Sequence, residues 1–278
     1  MKGLSLFAAV SAAFDTVFLD QFGVLHDGRR PYPGALDALR LLKSRGTTTV
    51  ILSNSGKPGQ ANAQRMAELG FARELYDHFL TSGDVAKSML LGGEVPVTPG
   101  PTIRCLTIAS SDEHELADSV GLASTGRAED ADLVIIGGSQ GETIGLDAYG
   151  ARLAPAARRG VPCLCTNPDR LALGVKGLFP GAGAIAERYE AMGGPVTWIG
   201  KPHPAIYAAA AKLVGQVPEN ILCVGDSVEH DIVGAHRFGA RAALVRTGIH
   251  ADLSEAALSA EFARHGVVPD VILSGFAG

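Results

Sequence analysis

The chain has 278 residues, of which 46% are hydrophobic and 19% charged, and its formal net charge is −5 at pH 7. This length suffices for about two globular domains. Lysine and arginine are adjacent only in pairs, as at Arg29-Arg30, which excludes the basic stripe typical of nucleic-acid-binding proteins. No run of 18 apolar residues occurs, so we expect no membrane span and a cytoplasmic location.

The apolar segment at residues 1–14, MKGLSLFAAVSAAF, has two interpretations. Its lysine, short apolar run and small residues resemble a signal peptide. The same residues also fit a short amphipathic helix that leads into the first strand, and we favour this helix.

Apolar runs alternate with helical patterns in the first part of the chain. The strands are predicted at 16–20 and 47–54, and the helices at 32–46 and 58–70. Runs that are apolar throughout are typical of strands buried on both faces, as in a parallel sheet covered by helices. The segment therefore predicts a β-α-β-α unit.

The same alternation returns near the C-terminus, where strands or helices are predicted at 220–227, 232–240, 241–248 and 270–274. The intervening segment predicts an α/β unit of its own, and turn-rich sequence marks its two ends. We predict a doubly wound parallel-sheet core formed by residues 1–84 and 180–278, with a smaller inserted domain at 85–179.

The four cysteines do not form the pattern of a disulfide framework or a zinc site. Cys163 and Cys165 are two residues apart in an apolar strand and so share one face. We interpret them as small buried hydrophobic residues.

Polar residues follow several of the predicted strands. Asp20 ends the first strand, Ser53 and Asn54 end the second, and Asp226 ends a later one. Because ligands bind beyond the carboxyl ends of parallel strands, we expect these side chains to form a site together with Lys201. Each of them taken alone could also be a turn or cap residue.

Four segments resemble, in order, the four motifs of the haloacid dehalogenase-like (HAD) superfamily, and specifically class IIA phosphatases similar to NagD and 4-nitrophenylphosphatase. The segments are FLDQFGVLHDG (18–28), VILSNSGKP (50–58), GKPHPAIY (200–207) and CVGDSVEHDIVGA (223–235). TNPD (166–169) followed by PGAG (180–183) resembles the cap of this class and its return to the core. The resemblance covers essentially the whole chain and implies a Rossmann-like core with a C2-type cap that closes over the site.

The resemblance implies Mg²⁺-dependent hydrolysis of a small phosphate monoester, such as a sugar phosphate or nucleotide, through a phospho-aspartate on Asp20. A carboxylate nucleophile and a phosphate repel each other, so cations must neutralise both. The implied metal ligands are Asp20, the backbone carbonyl of Phe22, Asp226 and, through a water, Asp231. The implied phosphate-binding groups are Ser53, the Asn54 backbone and Lys201. From its position alone, Asp231 could instead cap the helix predicted to begin at Ile232.

Phe22 departs from the family pattern, because phosphatases of this superfamily usually have a second aspartate at this position. That aspartate protonates the leaving group and then activates the hydrolytic water, and general acid catalysis is worth about 10²–10⁴-fold in rate. Three alternatives stay open: a leaving group that needs little protonation, a substitute acid such as His26, or a phospho-ligand-binding protein with low turnover.

An aromatic residue at position 22 also resembles the 2-haloacid dehalogenases of the superfamily, which need no Mg²⁺. The acidic segment GDSVEHD argues against this function, because clustered acids without a cation would repel a carboxylate substrate.

Three further residues are candidates for substrate contact. Asn167 and Asp169 end a strand of the inserted domain, and His203 lies between two prolines. We expect a phosphorylated small molecule as the partner, neither nucleic acid nor membrane, and an edge of the inserted sheet as a surface for a homodimer.

Overall fold

The computed structural model describes residues 3–111, 114–174 and 177–277. The chain divides into two compact units. The first unit comprises Met1–Ser53, Gly59–Leu80 and Lys201–Gly278, and the second comprises Asn54–Pro58 and Thr81–Gly200.

Helices and strands alternate along the described residues, as the sequence predicts. The helices are α1 (Gly3–Ser11), α2 (Ala35–Ser44), α3 (Gly59–Glu68), α4 (Ser82–Leu91), α5 (Glu115–Ser119), α6 (Leu146–Arg158), α7 (Ala182–Ala191), α8 (Pro204–Val214), α9 (Val233–Phe238) and α10 (Glu255–His265). The strands are β1 (Thr16–Asp20), β2 (Thr48–Ser53), β3 (His78–Thr81), β4 (Arg104–Ile108), β5 (Ala123–Ser124), β6 (Leu133–Ile136), β7 (Cys163–Cys165), β8 (Leu171–Gly174), β9 (Gly177–Pro180), β10 (Val196–Trp198), β11 (Ile221–Gly225), β12 (Arg241–Val245) and β13 (Val271–Leu273). Short 3₁₀ turns lie at Arg73–Leu75 and Pro218–Asn220, and a π-helical turn lies at Val228–Ile232.

The first unit is built on a six-stranded sheet in the order β13-β12-β11-β1-β2-β3. The pairings of β1 with β2 and with β11 are parallel, as are those of β12 with β11 and with β13. Successive residues of a strand point to opposite faces, and nearly every residue of β1 and β11 is buried, so both faces of the sheet are covered. The predicted doubly wound parallel sheet is confirmed.

Helix α1 packs onto this unit through its apolar face, as we favoured from the sequence. The Phe7 ring meets the Phe276 ring edge to face, with centroids 5.0 Å apart, within a cluster that includes Leu19 and Leu222. Burying a side chain of this kind stabilises the fold by about 1.5–3 kcal/mol. Of the described residues, no helix is long and apolar enough to cross a membrane.

The second unit has a five-stranded parallel sheet in the order β10-β7-β6-β4-β5 and a separate antiparallel hairpin of β8 and β9. Its own core contains Tyr149, Leu153 and Tyr189. Cys163 and Cys165 lie in this core as free, buried thiols, as predicted. Burial raises the pKa of Cys165 to about 12, so its thiolate is not available near neutral pH.

The two units differ from the predicted domain bounds mainly at one end, although Asn54–Pro58, predicted in the core, also belongs to the second unit. The first boundary, after Leu80, lies close to the predicted residue 84, but the second unit continues to Gly200 rather than to residue 179. The reason is that β10 pairs with β7 and α7 contributes Tyr189 to the second core. A three-residue strand such as β10 is too short to be recognised from its apolar pattern.

Candidate active site

Three carboxylates meet at the carboxyl edge of the first sheet. Asp20 ends β1, and Asp226 directly follows β11, which is the neighbour of β1. Asp231 follows in the π-helical turn. One ligand oxygen from each of the three lies within 4.8 Å of the others. The parallel direction of β1 and β11 places these side chains together, because both strands end at the same edge.

Lys201 joins this carboxylate cluster as a buried cation. Its Nζ lies 2.9 Å from an Asp20 oxygen and 2.7 Å from an Asp231 oxygen, and its side chain is only 4% exposed. Burial lowers the pKa of Lys201, but the two carboxylates raise it more, so its pKa lies well above the ordinary value. The ammonium therefore stays charged at physiological pH, and its single positive charge is shared between Asp20 and Asp231, so the cluster keeps an excess of negative charge.

The structure gives Asp231 a role in holding Lys201 and its own turn. One Asp231 oxygen accepts from Lys201, and the other accepts from the Ser227 backbone N–H at 3.1 Å. The cap of this turn is Ser227, whose hydroxyl accepts from the His230 N–H at 3.1 Å. The alternative that Asp231 caps a helix beginning at Ile232 is therefore wrong.

Gly23, Gly248 and the loop after β12 surround Asp226. Neither Gly248 nor this loop was predicted from the sequence to be part of the site. The Ile249 N–H donates to an Asp226 oxygen at 2.8 Å. A Cβ added at Gly248 or at Gly23 would lie 1.8 Å or 2.0 Å from that oxygen. Thr247 donates to the Gly23 carbonyl at 2.6 Å and so ties the loop to the first motif. The signal that could have found this loop is the glycine three residues after the buried strand β12, in RTGIH.

Without a metal ion, mutual repulsion and burial destabilise the ionised forms of Asp20 and Asp226 in this cluster. Burial, with the neighbouring Asp20 and Asp231, raises the pKa of Asp226 to about 8. Burial raises the pKa of Asp20 to about 7, although Lys201 opposes this. A divalent cation would offset the excess negative charge, and a donor set of carboxylate oxygens is the kind that Mg²⁺ prefers. The described residues therefore fit the predicted Mg²⁺.

Ser53 ends β2 and is held by Gln21, which sequence reasoning did not single out. The Gln21 side-chain amide donates to the Ser53 hydroxyl oxygen at 2.6 Å, and both side chains are buried. The Gln21 backbone N–H donates to Asp20 at 2.8 Å. This hydrogen bond fixes the position of the Ser53 hydroxyl at the end of β2.

Phe22 and His26 form an aromatic pair beside Asp20 in the chain. The Phe22 side chain is 51% exposed, and its ring meets that of His26 edge to face with centroids 4.9 Å apart. His26 is buried, and its Nδ1 accepts from the Gly28 N–H at 3.0 Å. Burial and the nearby Arg65 lower the pKa of His26 to about 4, so its ring is neutral at physiological pH. This state does not favour His26 as a substitute acid.

The remaining predicted residues have contacts of other kinds. Asn54 donates from its side-chain amide to Asp169 at 2.9 Å, and the Asn167 side chain accepts from the Asp169 N–H at 3.0 Å. These contacts lie within the second unit. His203 directly precedes α8. A substrate contact by Asn167, Asp169 or His203 stays a prediction.

The raised pKa of Asp226 predicts how stability varies with pH in the absence of metal. An unfolded aspartate titrates at its ordinary value of 3.8, whereas folded Asp226 titrates at about 8. Its stabilising contribution is complete below the first value and is lost as pH rises through the second. We expect the Tm without Mg²⁺ to fall by several degrees between about pH 5 and 8, since each 1 kcal/mol shifts the Tm by about 2–4 °C.

The same argument predicts that Mg²⁺ raises the Tm more at about pH 8 than at about pH 5, because the metal binds the ionised carboxylates. Asp226→Asn should weaken both effects, whereas Asp37→Asn, in an exposed pair with Arg40, should leave them unchanged. Differential scanning fluorimetry provides the measurement. Equal slopes for the wild type and Asp226→Asn would contradict the assignment.

Two family models match the chain. The model described as haloacid dehalogenase-like hydrolase matches residues 17–123, and the one described as HAD-hydrolase-like matches residues 198–273. Together they span more than half of the chain. The curated relatives include chronophin from Bos taurus, which is 29% identical over 297 residues, covering 100% of this chain and 95% of the relative.

Solved structures share the fold over nearly the whole chain. A hydrolase of the haloacid dehalogenase-like family from Brucella suis has a TM-score of 0.77 and 28% identity, and the match covers 96% of this chain and 97% of that one. A glycerol phosphate phosphatase from Mycobacterium tuberculosis, solved in complex with magnesium, has a TM-score of 0.69 and 26% identity. That match covers 99% of this chain and 78% of the other.

Proposed function

The chain belongs to the haloacid dehalogenase-like hydrolases, and on this premise we propose that it hydrolyses small phosphate monoesters with Mg²⁺ through a phospho-aspartate on Asp20. The observation that carries this proposal is the convergence of Asp20, Asp226 and Asp231 around Lys201. The inserted second α/β unit agrees with class IIA. The similarity to a glycerol phosphate phosphatase solved with magnesium supports both the reaction class and the metal.

The proposed reaction begins with attack on phosphorus by a carboxylate oxygen of Asp20. An ionised carboxylate needs no base to activate it, which distinguishes it from a serine nucleophile, and a bound cation would keep Asp20 ionised at neutral pH by lowering its raised pKa. Lys201 lies 2.9 Å from Asp20 and reduces the repulsion between the carboxylate and the phosphate. Ser53, held by Gln21, donates to a phosphoryl oxygen. Water then attacks the phospho-aspartate and regenerates Asp20.

Asp20, Asp226 and the backbone carbonyl of Phe22 are the groups that would hold Mg²⁺. When bound, the metal would neutralise the carboxylates and the phosphoryl oxygens and so permit two anions to approach. For Asp231, the contacts with Lys201 and Ser227 favour a positioning role, alongside the predicted contact with metal through a water.

A substrate screen with and without Mg²⁺ tests the proposal. We expect inorganic phosphate to be released from at least one small phosphate ester, and chelation by EDTA to abolish the release. Assays of 2-haloacids should yield no halide, because three clustered carboxylates without a cation would repel a carboxylate substrate.

Two other outcomes of the screen would replace the proposal. Halide release without metal would identify a dehalogenase. A rise in Tm on addition of phosphorylated compounds, without turnover of any of them, would identify a phospho-ligand-binding protein.

A further inference from the structure

Among the described side chains around Asp20 and Phe22, none is an evident proton donor for the leaving group of the proposed reaction. When the bond between phosphorus and an alkyl oxygen breaks, an alkoxide departs unless an acid protonates it, and a positioned acid is worth about 10²–10⁴-fold. Position 22, where the family resemblance predicts that acid, holds an apolar ring. The ring is fixed over Gly28, where an added Cβ would lie 2.7 Å from the ring tip.

The neighbouring His26 does not take over this role. It is 2% exposed and lies against the Phe22 ring. Its Nδ1 is committed as an acceptor to the Gly28 N–H at 3.0 Å. A ring that is buried and held in this way is not positioned to reach an oxygen of a bound ester.

Lys201 does not act as this acid either, because two carboxylates hold its ammonium group. Its ammonium contacts Asp20 at 2.9 Å and Asp231 at 2.7 Å. If Lys201 gave its proton to a leaving group, two buried carboxylates would lose their countercharge at the same time, which is costly. Among the described side chains bonded to Asp20 or packed on Phe22, we find no group placed to protonate a leaving oxygen.

From this arrangement, and resting on the proposed function, we propose that the protein is selective for phosphorylated compounds whose leaving group departs as a stable anion. These compounds include acyl phosphates and aryl phosphates of acidic phenols, whereas simple alkyl phosphates such as glycerol phosphate are poor substrates. Such a leaving group is acidic enough to depart without protonation, so the reaction needs no acid from the protein.

The two steps balance without an enzyme acid. In the first, an Asp20 oxygen bonds to phosphorus while the bond to the leaving oxygen breaks, and the electron pair departs with that oxygen as a carboxylate or phenolate. In the second, a water oxygen bonds to phosphorus, the bond to Asp20 breaks, and the water protons remain on the released phosphate. Because the second step is common to all substrates, kcat levels off for the best leaving groups, whereas kcat/KM continues to vary.

A series of aryl phosphates with Mg²⁺ tests the proposal. We expect kcat/KM to fall by roughly 10²-fold or more from 4-nitrophenyl phosphate to phenyl phosphate, whose leaving groups have pKa values of about 7 and about 10. Acetyl phosphate should be turned over readily and glycerol 3-phosphate only at the limit of detection. A similar kcat/KM across the series would overturn the proposal.

Two variants of the same residue separate acid chemistry from shape. Phe22→Asp should raise kcat/KM for phenyl phosphate by roughly 10²-fold or more and flatten the dependence on the leaving group. Phe22→Asn introduces a side chain of nearly the same shape as aspartate but without an acidic group. This variant should keep the wild-type dependence of kcat/KM on the leaving group. If the two variants behave alike, the proposal fails. If Phe22→Asp does not fold, as judged from its Tm, the wild-type series still decides.

The experiment distinguishes this inference from the proposed function. Absence of phosphate release from every compound, the activated ones included, would defeat the proposed function. Phosphate release at similar rates from activated and alkyl compounds would defeat only the inference about the leaving group.

Discussion

Replacing Asp20 with asparagine is expected to reduce phosphate release by roughly 10⁴-fold or more, because removal of a nucleophile leaves only the residual effect of binding and electrostatics. Asparagine has nearly the same volume, and its amide oxygen can still accept from Lys201, which lies 2.9 Å away. The fold should therefore remain intact, with a Tm within a few degrees of the wild type. A steady-state assay with 4-nitrophenyl phosphate and Mg²⁺ measures the loss.

Asp37→Asn is the matched control for this variant, because Asp37 is exposed and forms an exposed ion pair with Arg40 on α2. It should retain full activity. A second measurement uses rapid acid quench, which should trap a phosphorylated wild-type protein and no phosphorylated Asp20→Asn protein. Unchanged turnover in Asp20→Asn would remove the assigned nucleophile, and with it the proposed mechanism.

Replacing Lys201 with methionine is expected to cost both stability and turnover. The variant leaves Asp20 and Asp231 without their buried cation, and breaking a buried ion pair typically destabilises a protein by about 3–5 kcal/mol. In a protein of this size such a loss lowers the Tm by roughly 10 °C. Turnover should fall by roughly 10³-fold, since Lys201 also offsets the repulsion between nucleophile and phosphate.

The control for Lys201 is Lys43→Met, because Lys43 forms an exposed salt bridge with Asp77 at 3.0 Å. Exposed pairs contribute only about 0–1 kcal/mol, so this variant should melt close to the wild type. Mg²⁺ should recover part of the Tm lost in Lys201→Met, because the metal supplies positive charge to the same carboxylates. An unchanged Tm in Lys201→Met would contradict the structural role assigned to the buried cluster.

The sequence contains most of what positions the carboxylates. Strands buried on both faces are apolar throughout, so β1, β2 and β11 were recognisable, and the polar residue that ends each of them was already a candidate. The order of the strands then follows from the parallel pairing of β1 with β11 and β2. A chain with this periodicity has few other ways to bury its strands.

The parts that could not be predicted depend on contacts between distant segments. Gln21, directly after β1, donates to Ser53 at the end of the neighbouring strand β2, and Ile249 donates to Asp226 from a loop after β12. Neither contact could be predicted from the sequence, because a hydrogen bond between distant segments imposes no periodic pattern on the residues around it. The extent of the second unit was missed for a similar reason, since β10 is recognised as a strand only by its pairing with β7.

Three glycines leave the space that the side chains of Asp226 and Asp231 occupy. Gly23, Gly225 and Gly248 contribute no chemical group, yet a methyl group at any of them would overlap the side chain of Asp226 or Asp231. Their contribution is an empty volume that admits the acids at the required positions. A description of this site therefore includes, besides its reactive atoms, the positions at which no side-chain atom fits.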